Sequence, residues 1–158
     1  MIPTLYILCG PSGAGKSTWA RKFIEDHFDD NIHYVSRDEI RFSILKDGED
    51  YFAHEKEVFK KFVGTIGETL IDGFDVIADA THLNEFARRK LTQALDMRHI
   101  DYNIIYVVFN INVETCIAHN ANRNGRSDVP ETVIRNMCRD FRAPTMDEDE
   151  RVKEIIEV

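Results

Sequence analysis

Leu5-Tyr6-Ile7-Leu8-Cys9-Gly10-Pro11-Ser12-Gly13-Ala14-Gly15-Lys16-Ser17 is the stretch on which the fold turns. Its first part, Leu5 to Cys9, is continuously apolar, as a strand buried on both faces should be. Gly10 to Ser17 then fits GxxxxGK[ST] at every defined position. Ser17 to Phe28 follows with helical period, placing Ala20, Phe23, Ile24 and Phe28 on one stripe. A strand, a Gly-rich loop and a helix in that order make a phosphate cradle. The glycines let successive backbone N–H groups turn inward, and the helix N-terminus adds a favourable dipole. Gly10, Pro11, Ser12, Gly13, Ala14, Gly15, Lys16, Ser17 and Thr18 are the expected nucleotide contacts. Lys16 is placed for the β- and γ-phosphates and the Ser17 hydroxyl for magnesium. No NKxD motif marks a guanine nucleotide, so ATP with Mg2+ is the expected pair.

Outward from this loop, apolar runs alternate with helical periods, which argues an α/β fold with a mainly parallel sheet. Strands are expected at Ile32 to Ser36, Asp75 to Asp79 and Ile104 to Phe109. Helices are expected at Arg37 to Leu45, Tyr51 to Asp72, Glu85 to Arg98, Val113 to Ala121 and Pro130 to Phe141. Glu154 to Val158 reads equally as a last strand or a frayed helix. The chain has 158 residues and no repeat or linker, which suits a single domain over 1–158.

No apolar run approaches a membrane span of roughly 18 residues, and no basic segment precedes the first apolar run. Three widely spaced cysteines indicate neither a disulfide framework nor a zinc site, which fits a reducing cytoplasm. The net charge of −8 disfavours broad binding to long nucleic acid, although a few arginines in a cleft would serve a terminal nucleotide. No stable protein partner is inferred from the sequence.

A phosphoryl transfer also needs a group to deprotonate the acceptor and cations to stabilise the moving phosphoryl. Arg37-Asp38-Glu39-Ile40-Arg41 follows the second strand, and strand C-termini in such sheets face the ligand crevice. Asp38 is placed to take a proton or to cap the following helix, and Arg41 shares its face. Asn122 to Val129, with Arg123 and Arg126, reads as a lid closing on ATP or as a solvated basic turn. Asp79 ends an apolar run, placed for the magnesium shell, for a helix cap or for an arginine. Thr81, His82 and Asn84 follow it, with His82 read as a loop histidine. The acidic run Asp147 to Glu150 reads as a solvated turn.

Taken in order, these residues resemble the 5′-kinase domain of phage-type polynucleotide kinases over nearly the whole chain. Gly10 to Arg21 looks like that family's phosphate loop and first helix, and Arg37-Asp38 with Arg41 like its acceptor motif. Ile77 to Asn84 is similar to its third-strand segment, and Arg123-Asn124, Arg126 and Val129-Pro130 to its lid. The resemblance implies a five-stranded parallel sheet flanked by helices, as in nucleoside monophosphate kinases. It implies Asp38 as general base and Arg41 as holder of the acceptor's 3′-phosphate. Lys16, Arg123 and Arg126 would meet ATP phosphates, with Asp79 and Thr81 near the acceptor. The implied substrate is the 5′-hydroxyl end of DNA or RNA. The lid is shorter than the family pattern, Ala80 interrupts the third-strand motif, and no DxDGT phosphatase motif is present. The same constellation would serve a kinase of a nucleoside, nucleotide, sugar or sugar-nucleotide, and an ATP-binding regulatory module would need only the loop.

Overall fold

The computed structural model describes residues 1–28, 30–122 and 129–158. Five strands, β1 (Thr4–Cys9), β2 (Ile32–Ser36), β3 (Asp75–Asp79), β4 (Asn103–Val108) and β5 (Val152–Glu157), form one sheet. Their order is β2-β3-β1-β4-β5, and every neighbouring pair is parallel. Parallel neighbours need crossovers, and helices supply them. The first is α1 (Lys16–Asp26), followed by α2 (Arg37–Ile44) and α3 (Glu55–Ile71). Then come α4 (Glu85–Asp96), α5 (Val113–Ala121), α6 (Glu131–Asp140) and a 3₁₀ turn at Met146–Glu148. The expected α/β parallel sheet is present.

Alternation along β1 divides the core in two. Leu5, Ile7 and Cys9 pack with Phe62, Ile66 and Leu70 of α3 and Leu91 and Leu95 of α4. Leu8 points to the other face, among Ala20 of α1, Cys116 of α5 and Ile134 of α6. No described helix is long and apolar enough to cross a membrane.

Two local expectations change and one open alternative is decided. Helix α1 ends at Asp26, so Phe28 leaves the buried stripe and is 79% exposed. Helix α3 begins at Glu55, and Tyr51 lies in a turn ahead of it. The C-terminal segment is a strand, because β4 offers Val152 to Glu157 a parallel edge.

Candidate active site

Register places the chemistry at one sheet edge. Ser36 and Asp79 are partners at the C-terminal ends of β2 and β3, and the Gly10 N–H donates to the Thr81 carbonyl at 2.9 Å. Carboxyl ends of parallel strands form the ligand crevice of such folds. Here they floor a cleft of about 730 Å³ that contains Lys16, Ser17, Asp38, Arg41, Asp79 and Thr81 together.

The phosphate loop is shaped by glycines that packing cannot spare. Gly13 (φ +83°) and Gly15 (φ +90°) occupy the left-handed region. A Cβ at Gly13 would lie 2.2 Å from the Cys116 carbonyl oxygen of α5, whose His119 Nδ1 donates to the Gly13 carbonyl at 2.8 Å. A Cβ at Gly10 would meet Phe109 at 2.9 Å. Lys16 is buried, its ammonium donating to the carbonyls of Gly10 (2.9 Å) and Pro11 (2.8 Å). Gly15 ends the loop as the N-cap of α1.

Across the cleft, Ser36 precedes α2 as its N-cap, its hydroxyl accepting from the Glu39 N–H at 3.2 Å. Asp38 is thereby released from the capping role that its position allowed. One oxygen, Asp38 Oδ1, accepts from the Tyr51 hydroxyl at 2.6 Å and from Arg41 Nη1. The Arg41 guanidinium also donates to Tyr51 (2.8 Å) and, bidentately, to Glu55 (2.9 and 3.1 Å). Its side chain is only 6% exposed, and most of its donors are bonded within the protein. Arg37 shares Glu55 at 3.0 Å, is 26% exposed, and has a buried Nε with no hydrogen-bond partner among the described residues. The expected pair Asp38–Arg41 therefore meets, but as two members of a five-residue cluster with Arg37, Tyr51 and Glu55. Tyr51 and Glu55 were not legible as site residues, since their partners lie across a turn.

Asp79 accepts from the Tyr34 hydroxyl, and burial pushes that phenol well above its usual range. The cap of α4 is Asn84, accepting from Ala87 N–H at 2.8 Å, so Asp79 is not a helix cap. Asp79 and Ser17 are hard oxygen donors in one cleft, the donor type that magnesium takes beside nucleotide phosphates. Formal charge in the cleft is matched among the described residues, with Lys16, Arg21, Arg37 and Arg41 against Asp38, Glu39, Glu55 and Asp79. The expected lid, with Arg123 and Arg126, lies outside the described residues. Its flanks are joined by Asn120, whose side chain donates to the Val129 carbonyl at 2.7 Å and accepts from the Val129 N–H.

His82 stands in the loop after β3, as expected, and is buried there. It sits at φ 42°, with Nδ1 donating to the Leu8 carbonyl at 2.6 Å. Burial pushes its imidazole down to about 4. An unfolded histidine titrates near pH 6.5, so between about 6.5 and 4 the unfolded chain binds more protons. Stability that is complete above about pH 6.5 should therefore be lost as pH falls to about 4, by roughly 3 kcal/mol. Urea unfolding of wild type and His82→Asn from pH 7 to pH 4 checks this, and the variant's profile should be flatter by about that amount.

Behind His82, Arg88 and Glu148 form a buried ion pair at 2.6 Å, 1% and 7% exposed. Arg88 also donates to the carbonyls of His82 (3.0 Å) and Arg142 (2.9 Å). Glu148 is thus inside the protein, which corrects the reading of its acidic run as wholly solvated.

The architecture is shared with other solved structures. A chain from the structure of the Pnkp1/Rnl/Hen1 RNA repair complex is 26% identical with a TM-score of 0.73, covering 88% of this chain. This chain spans 44% of that longer one. Kti12 of Chaetomium thermophilum, solved with ADP-AlF3, is 15% identical with a TM-score of 0.68, covering 96% of this chain and 88% of its own. A sugar kinase from Janibacter sp. HTCC2649 is 14% identical with a TM-score of 0.65, covering 99% and 86%. With residues 5–144 matched, the chain belongs to the AAA domain family AAA_33 and has the nucleotide-binding fold of a P-loop kinase.

Proposed function

We propose that this protein transfers the γ-phosphoryl group of ATP to the 5′-hydroxyl of a DNA or RNA end. The observation that carries this reading is the Asp38 carboxylate, held through Oδ1 by Tyr51 and Arg41 in the cleft that contains Lys16 and Ser17. Asp38 takes the proton from the acceptor hydroxyl as its oxygen bonds to phosphorus and the bond to the β–γ bridging oxygen breaks, releasing ADP. Lys16 neutralises charge on the phosphates, joined by Arg123 and Arg126. Ser17, with Asp79 in the same cleft, would hold magnesium, which supplies charge stabilisation at the phosphates. Arg41 orients Asp38, and an anionic acceptor group meets Arg37, the more exposed of the two guanidiniums on Glu55, beside Arg41 and Thr81.

A second reading, phosphorylation of a small alcohol such as a nucleoside, nucleotide, sugar or sugar-nucleotide, is favoured by the net charge of −8. Transfer from γ-labelled ATP to 5′-hydroxyl oligonucleotides of DNA and RNA, beside a panel of small acceptors, decides between them. Label on the oligonucleotide end supports the first reading, and label only on small acceptors replaces it with the second.

A further inference from the structure

Phe52 is a large apolar side chain left 45% exposed in the wall of the cleft. Its backbone N–H is tied to Asp50 Oδ2 at 3.0 Å. Its ring stands edge-on to Tyr51, with centroids 4.7 Å apart and planes at 82°. Tyr51 is the residue that donates to Asp38, so this aromatic surface lies beside the group that would receive the acceptor's proton. Single exposed phenylalanines are ordinary on protein surfaces. This one stands inside the reaction cleft, and the cleft's charges narrow what it could be for.

The four cations of the cleft are matched by four carboxylates among the described residues, and Arg41 is largely bonded within the protein. The whole chain carries −8. Tracking a phosphate backbone needs surplus positive charge. Arg37 can meet one anionic group of the acceptor, and a planar apolar surface beside it offers a second means of gripping a terminal nucleotide. Bases stack on aromatic side chains irrespective of sequence, because every base has a π-face.

We propose that Phe52 is the stacking platform for the nucleobase of the acceptor's 5′-terminal nucleotide, an inference that rests on the nucleic-acid reading above. Stacking holds the base of that nucleotide while its 5′-hydroxyl reaches Asp38. Phe52 contributes to binding and not to the chemical step, so its removal belongs in KM and not in kcat.

The test uses the full chain with ATP and two acceptors, a 5′-hydroxyl oligonucleotide and the same oligonucleotide with an abasic 5′-terminal residue. Phe52→Ala should raise KM for the first about tenfold, leaving kcat and the KM for ATP within about twofold, and Phe52→Trp should restore it. On the abasic acceptor, wild type and Phe52→Ala should have the same KM. An unchanged KM in Phe52→Ala on the intact oligonucleotide, with wild type active, overturns the stacking role and leaves the 5′-kinase reading intact. An equal rise on both acceptors also overturns it, since the base would then be irrelevant. A wild-type enzyme that labels only small alcohols overturns the 5′-kinase reading and this inference with it.

Discussion

Asp38→Asn is expected to lower kcat for phosphoryl transfer by about 10²- to 10⁴-fold while ATP binding stays close to wild type, the range that general-base catalysis supplies. The substitution keeps the shape of the side chain and an oxygen that can accept from Tyr51 and Arg41, so the cluster around Glu55 should persist. What is lost is the capacity to take a proton. Steady-state transfer and ATP titration calorimetry on the same preparation separate the two effects. If kcat were unchanged, Asp38 would be a structural partner of Arg41 and the proposed chemistry would need another base. An ATP-binding module without transfer activity predicts instead that the wild type transfers no phosphoryl group and that any ATP turnover is the same in the variant.

Glu148→Ala should be the most destabilising of these changes, by about 3–5 kcal/mol, because it leaves a buried guanidinium without its counter-ion. Arg88 is 1% exposed and draws two of its bonds from Glu148. Its remaining bonds, to the carbonyls of His82 and Arg142, fasten the loop after β3 to the segment after α6. Urea denaturation measures the loss. The double variant Arg88→Met, Glu148→Leu should recover a large part of it, since removing both charges ends the desolvation cost that one alone carries. A Glu148→Ala protein within about 1 kcal/mol of wild type would mean that water reaches Arg88 and that the pair behaves as a surface one.

The same pair shows where sequence reading stops. Between Leu5 and Ser17 the local signals agree: an apolar run, glycines at strained positions and an amphipathic helix all serve one structure, so loop and fold were legible together. Asp38 and Arg41 were legible because three residues along a helix bring them to one face. Tyr51 and Glu55 were not. They reach Arg41 only because the chain turns back after α2, and helical periodicity carried straight through Tyr51 as though α3 began there. Glu148 stands in an acidic run whose composition says water, and only its meeting with a residue of α4 far away in sequence takes it inside. The last strand was undecidable for a similar reason. Val152 to Glu157 has charges at both parities, and the edge of β4 settles its conformation from outside.

The strand order carries a consequence for biosynthesis. β1 is the first of these five strands to leave the ribosome, yet its two neighbours are β3 and β4, so its first pairing waits for residue 79 and its second for residue 108. Such non-local pairing is slow and leaves an apolar strand exposed during translation. Phe109 and α5, which hold Gly10 and Gly13, are made later still. A nascent chain halted before β4 would carry the complete GxxxxGK[ST] motif and no working phosphate cradle, so nucleotide capture comes late in the life of the growing polypeptide.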